Sequence, residues 1–335
     1  MEFLPVRSKT GKPLMPCHAA RARELIEKGK AVKRFERGVP FIQLLERKDG
    51  ATQQVVVGVD PGSKREGFSV KSEHHTYLNI QTTTPNWVKK KVEERRNLRR
   101  NRRYRKTPYR ANRLNRARGG IPPSTFARWQ WKLRVLGWLA KLYPIKVVVV
   151  EDVKAVTRKG SRKWNSSFSP LEVGKKWLYG QIEKRWRLHL FAGWETYQER
   201  QDLGLRKIGN KLSDSFFAHA VDAWCLANMW TGGHIKPDNT AMLYLHPLKL
   251  HRRNIHRQNA SKGGIRKPYG GTRSEGFKRG SWVKHPKWGV CYVGGKNGKG
   301  RISLHALDTG KRLTQLAKPA DCKLLCYSSW RVRYA

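Results

Sequence analysis

QVVVGVDPGSK, residues 54–64, is the stretch on which the fold turns. Its β-branched run from Gln54 onward predicts a strand that ends at Asp60, where Pro61-Gly62 turns the chain. Two further strand-like pieces follow, Gly67 to Val70 and Tyr77 to Thr82, giving an antiparallel meander whose first strand delivers a carboxylate to its end. Downstream, Ser124 is placed to cap a helix in which Phe126, Trp129, Leu133, Leu136, Ala140 and Tyr143 recur at helical spacing, with Pro144 as its stop. Four consecutive valines, Val147 to Val150, then predict a strand buried on both faces that runs into Glu151. A meander, a helix and a buried parallel strand is the RNase H-like order, so an α/β core is expected with Asp60 and Glu151 side by side at neighbouring strand ends.

A third acidic position comes late. Ser213 or Asp214 is expected to cap a helix through Phe217, His219, Asp222 and Trp224 to Trp230, with His219 and Asp222 three residues apart on one face. Between the valine strand and this helix, the pattern predicts a basic loop over Lys154 to Ser169, a helix over Leu171 to Leu190 and a short strand over Trp194 to Tyr197.

Phosphodiester hydrolysis needs a deprotonated water and a stabilised leaving oxyanion, and two Mg²⁺ ions held by carboxylates supply both, with Mn²⁺ as a substitute. Asp60, Glu151 and Asp222 are the expected metal ligands, and His219 the residue that positions or deprotonates the water. Taken singly, each has an ordinary structural use, as a turn residue, a strand end or a core histidine. Their joint placement, in a chain with only 24 acidic residues against 71 lysines and arginines, favours chemistry.

The net charge of +47 over 335 residues requires a polyanionic partner. It is concentrated in KKKVEERRNLRRNRRYRK, residues 89–106, and continues past Thr107-Pro108 to Arg118, which predicts two helices broken at the proline. Arg95, Arg96, Arg99, Arg100, Arg102, Arg103 and Arg105 surround the first helix, and only Glu93 and Glu94 oppose them, so this helix is expected against phosphate. Arg110 and Arg113 extend the RNA-binding set, and Trp87 is its candidate for base stacking. From Asn86 to Lys106 a helix would reach about 30 Å. Charge alone leaves a non-catalytic RNA-binding protein, or a guide-independent resolvase or transposase, as alternatives.

Five scattered cysteines without a C-x-x-C pair argue against a zinc knuckle or a disulfide framework and fit a reducing, cytoplasmic setting. No apolar run reaches the length of a membrane span, and no membrane partner is expected. GVDPGSK also has the look of the first phosphate loop of sugar-kinase and actin-type ATPases, but a second glycine-rich nucleotide loop is missing.

With these residues in order, the chain resembles the IsrB family, transposon-encoded RNA-guided nickases related to IscB but lacking its HNH nuclease. Pro13-Leu14-Met15-Pro16 resembles the family's PLMP module, GVDPGSK its first RuvC segment, and the arginine-rich stretch its bridge helix. VVVVED around Glu151 resembles the second RuvC segment and SFFAHAVDAW around His219 and Asp222 the third. The resemblance implies a RuvC-type, RNase H-like core divided as follows: an N-terminal module over 1–50, RuvC segments over 51–84, 119–205 and 206–239, and a bridge helix over 85–118. It further implies a region contacting the guide-RNA scaffold over 240–279 and a small β-barrel over 280–335 that meets the target-adjacent motif. Its implied partners are a structured guide RNA and a double-stranded DNA target, bound by a monomer in a ribonucleoprotein. Only 68 positions separate Glu151 from His219, too few for an inserted HNH domain, so one strand, the displaced one, would be cut.

Overall fold

Valine fills the middle of the central sheet because both of its faces are covered. In the computed structural model, which describes residues 2–104, 120–154, 169–210, 212–250, 258–259, 264–265 and 273–334, strand β5 (Val55–Asp60) is buried at every position. It pairs antiparallel with β6 (Arg65–Lys71), which pairs antiparallel with β7 (Thr76–Thr83). On its other side lies β8 (Ile145–Glu151), parallel to β5, followed by β9 (Arg187–Phe191), parallel to β8. The resulting order β7-β6-β5-β8-β9 is that of an RNase H-like core.

Alternation along the strands assigns the two faces. Gly58 and Gly67 look toward α6 (Val221–Thr231) and the turn preceding it. A Cβ on Gly58 would stand 1.8 Å from the Ala223 carbonyl oxygen, and one on Gly67 2.2 Å from that of His219. Glu66 and its cross-strand partner Thr82 look the other way, onto α3 (Pro123–Leu139). There Trp131 Nε1 donates to Thr82 Oγ1 (2.9 Å) and Lys132 Nζ to Glu66 Oε1 (2.5 Å). Trp131, Trp138 and Trp224 are the largest fully buried side chains of this core.

The Lys132–Glu66 pair is sealed, with side chains 3% and 0% exposed. Burial pushes the Glu66 carboxyl up to about 6, with Lys132 acting in the opposite direction. Removing one partner strands the other charge, so Lys132→Met is expected to cost about 3–5 kcal/mol in urea unfolding at neutral pH. Because the folded Glu66 carboxyl lies above its unfolded value, the native state holds its proton more tightly. Losing Lys132 lifts the Glu66 carboxyl further, so the deficit of Lys132→Met should shrink as pH falls from 8 toward 6 and level off below it, where Glu66 is neutral in both proteins. A deficit that stays constant from pH 8 to 5 would contradict this assignment.

Residues 3–44 form a separate small sheet, order β2-β1-β4-β3, from β1 (Phe3–Arg7), β2 (Pro13–His18), β3 (Ala31–Glu36) and β4 (Val39–Leu44). Helix α1 (Ala19–Glu27) covers it over a core of Val6, Leu14, Ala22, Ala31 and Ile42. Pro13-Leu14-Met15-Pro16 thus opens strand β2, with Leu14 as its inward anchor.

Between β8 and the late helix the order differs from the sequence expectation. Helix α4 (Pro170–Glu183) ends earlier than Leu190, Arg187–Phe191 is strand β9, and α5 (Gly193–Asp202) is a helix where a strand was expected. Pairing of 187–191 with the open edge of β8 overrides its helical pattern, and Glu195 Oε2, which accepts from Ala192 N at 2.6 Å, starts α5. Likewise Pro122, not Ser124, is the N-cap of α3.

The arginine-rich helix is α2 (Trp87–Tyr104). Its Arg96, Arg99 and Arg100 are exposed, while Arg95 and Trp87 are half-buried and Arg95 Nε donates to the Lys91 carbonyl (3.2 Å). The side chains of Arg102 and Arg103, and the whole of Arg105, Arg110 and Arg113, lie outside the described residues, as does the second expected helix.

The chain divides into two compact units, Met1–Leu243 and Tyr244–Ala335, with β10 (Met242–Pro247) at the junction in sequence. In the second unit, short ladders join β11 (Gln258–Asn259) to β12 (Gly264–Ile265) and β13 (Arg273–Ser274) to β14 (Phe277–Lys278). Its main sheet has the order β18-β17-β16-β15-β19, built from β15 (Ser281–His285), β16 (Gly289–Lys296), β17 (Ile302–Ala306), β18 (Arg312–Ala317) and β19 (Lys323–Tyr327). Every pairing is antiparallel, and bulges interrupt three of the four, which bends the strands around Val283, Cys291, Val293, Ile302 and Leu304. The last strand, β20, is Trp330–Tyr334. Among the described residues no helix is long and apolar enough to cross a membrane.

Candidate active site

Asp60 closes β5 and Glu151 closes β8, and the parallel register that pairs Val59 with Val150 carries the two acids to the same level on adjacent strands. Each lies within the other's electrostatic reach. Burial, then the charges of Asp60 and Asp222, push the Glu151 carboxyl up to about 7. The neighbouring Asp152 points elsewhere: its Oδ1 accepts from Lys175 Nζ (2.8 Å) and the Tyr179 hydroxyl (3.0 Å) on α4. Alternation along the strand therefore separates the two acids of VVVVED, and only the first faces Asp60.

His219 arrives by an irregularity. Residues Phe216–Ala220 form a single π-turn, N-capped by Ser215 rather than by Ser213 or Asp214, and α6 continues from Val221. Asp214 is instead paired with Arg65 at 2.5 Å. A π-turn inserts a residue into the helical spiral. His219 Nδ1 consequently lies 2.9 Å from Asp60 Oδ2, and both side chains are buried. Gly67 makes room for this turn, whose His219 carbonyl lies against the strand.

Asp222 is buried on the first turn of α6. Arg200 Nη1 on α5 donates to its Oδ1 at 2.9 Å, and Lys207 Nζ donates to its Oδ2. Burial raises the Asp222 carboxyl in spite of these cations, and the charge of Asp60 reinforces the shift. All four predicted residues thus belong to one electrostatically linked cluster, but Asp222 is held by two basic side chains rather than pointing openly at Asp60.

Arg200, Lys207 and Gly193 belong to the same neighbourhood and were not legible in the sequence. A Cβ on Gly193 would stand 2.8 Å from Glu151 Oε1, so this glycine, at the start of α5, keeps the space beside the carboxylate clear. The signal for α5 was the Glu195 cap three residues beyond Ala192.

Among the described residues no three His, Cys, Asp or Glu side chains are already arranged as a cage for a metal ion. The adjacent Asp60 and Glu151 carboxylates nevertheless fit a hard divalent cation, which would neutralise the repulsion that raises the Glu151 carboxyl. Asp222 would complete the set once Lys207 released its Oδ2.

Residues 4–166, just under half of the chain, match the family model described as RRXRR protein. Among solved structures, the chain is similar to Thermus thermophilus RuvC in complex with a Holliday junction substrate, at 14% identity and a TM-score of 0.29, covering 54% of this chain and 98% of that one. A second Thermus thermophilus RuvC structure matches at 14% identity and a TM-score of 0.26, over 53% and 98% of the two chains. The yeast mitochondrial Holliday junction resolvase matches at 14% identity and a TM-score of 0.27, over 53% and 78%. No curated protein matches the chain. The RNase H-like assignment rests on the strand order and register of the central sheet.

Proposed function

We propose that the chain is an RNA-guided DNA nickase with one RuvC-type, Mg²⁺-dependent centre. The observation that carries this reading is the juxtaposition of Asp60 and Glu151 at the ends of parallel strands, with His219 bonded to Asp60 and Asp222 electrostatically linked to both acids. Asp60, Glu151 and Asp222 would hold the metal, which when bound supplies a nucleophile at neutral pH and stabilises the leaving oxyanion. Asp60 fixes the His219 imidazole through Nδ1, and His219 accepts the proton of the attacking water.

The guide function is supported by the exposed arginines of α2, by the net charge of +47 and by the resemblance of the N-terminal half to RRXRR and IsrB-type chains. Arg95, Arg96, Arg99 and Arg100 would grip the RNA backbone, and Trp87 would stack at its margin. Between Glu151 and His219 the described elements are α4, β9 and α5, which extend the central sheet and, through Gly193 and Arg200 of α5, line the site. A single centre cuts a single strand, and the displaced strand is the one left accessible after guide pairing. The second unit, Tyr244–Ala335, would contact the RNA scaffold and the motif beside the target.

The test is to purify the full chain, sequence the RNA that accompanies it, and present supercoiled DNA carrying the matched target with Mg²⁺. Nicked circles that require both the RNA and the match are expected. Cleavage that ignores the RNA would identify a guide-independent resolvase, and tight, salt-sensitive RNA binding without any cleavage would identify a non-catalytic RNA-binding protein.

A further inference from the structure

Lys207 and Arg200 are the two cations of the cluster whose place there neither the sequence pattern nor the proposed chemistry requires, and of the two Lys207 is the less buried. Its Nζ donates to Asp222 Oδ2, and its charge is felt by Asp60 and Glu151 as well. It therefore lies within the field of all three carboxylates and occupies an oxygen that a divalent cation shared by them would need. Arg200 is differently situated. It occupies Oδ1 of Asp222 from within α5, only 10% exposed and stacked 5.2 Å from the Tyr197 ring centroid.

The backbone around Lys207 is pinned on both sides: Leu205 N donates to the Arg200 carbonyl and Ile208 N to the Phe217 carbonyl, each at 2.9 Å. Its side chain remains 31% exposed, against 5% for Asp222. A lysine stem has four rotatable carbons, so the ammonium can swing outward from a fixed Cα at little cost. The planted arginine cannot.

We propose that Lys207 is the resident counter-ion of the acid cluster, occupying Asp222 Oδ2 in the metal-free protein and displaced to solvent when a divalent cation binds. This rests on the reading of Asp60, Glu151 and Asp222 as a divalent-cation site. The ammonium and the metal compete for the same oxygens, so Lys207 weakens metal binding while keeping three clustered carboxylates compensated in its absence. Arg200 holds Asp222 in place through the exchange.

The measurement is Mn²⁺ binding to the full chain, followed by the electron paramagnetic resonance of free Mn²⁺, with Asp60→Asn as the baseline for ions held elsewhere. Lys207→Met is expected to bind Mn²⁺ about tenfold or more tightly than wild type, and Lys207→Arg to stay within about twofold of it. In the wild-type chain, amine labelling read by mass spectrometry should show Lys207 becoming several-fold more reactive on Mn²⁺ addition. Equal or weaker binding by Lys207→Met, or labelling of Lys207 that Mn²⁺ leaves unchanged, overturns the proposal while the metal site stands. Wild-type binding no greater than that of Asp60→Asn overturns both.

Discussion

Asp60→Asn is expected to lower guide-dependent nicking by about three orders of magnitude or more, without loss of the accompanying RNA. Asp60 has two duties that Asn cannot share: its charge is one of the two adjacent carboxylates, and its Oδ2 orients His219 at 2.9 Å. The fold has no reason to suffer. Asp60 is one of the charges that raise the Glu151 carboxyl, so neutralising it relieves repulsion between buried acids. Thermal stability of the metal-free variant should equal or exceed that of wild type. Nicking within tenfold of wild type, at matched RNA content, would remove Asp60 from the chemistry and with it the metal-site assignment.

The second large effect is on folding. Gly58 lies two residues before Asp60, and a Cβ there would meet the Ala223 carbonyl oxygen at 1.8 Å and the Ala227 amide nitrogen at 2.9 Å. Both are backbone atoms of α6, so no side-chain rotation relieves the clash, and the helix carrying Asp222 must move. Gly58→Val is therefore expected to destabilise the chain by at least about 4 kcal/mol, or to prevent folding, although valine is the residue type that β5 otherwise prefers. Gly180, inside α4 with no neighbour within 4 Å of its Cβ position, provides the contrast. Gly180→Ala should stabilise by about 0.5–1 kcal/mol through helix propensity. Equal effects of the two substitutions in urea unfolding would show that α6 is not seated on β5 as described.

Gly58 shares its role with Gly67. Gly58 and Gly67 let the late helix and its π-turn approach the meander closely enough for His219 and Asp222 to come near the strand ends. In the sequence, GVD reads as a strand with a weak point, because the partner that needs the missing Cβ lies more than 150 residues downstream.

By itself the sequence determined the elements whose periodicity is strong and local. The run QVVVGVD, the four valines before Glu151, and the apolar spacing through Trp129 and Leu136 give β5, β8 and α3, because a strand buried on both faces and a half-buried helix each impose their own repeat. The two strand-end acids follow directly, since burial of the strand leaves its last residue as the first place for a carboxylate. Tertiary structure alone decided that 187–191 is strand β9, because a free edge on β8 outweighed a helical pattern. It also decided that a π-turn sets His219 against Asp60 while Arg200 and Lys207 take the two oxygens of Asp222. Such placements depend on Coulombic and steric terms between segments far apart in the chain, which no local repeat encodes.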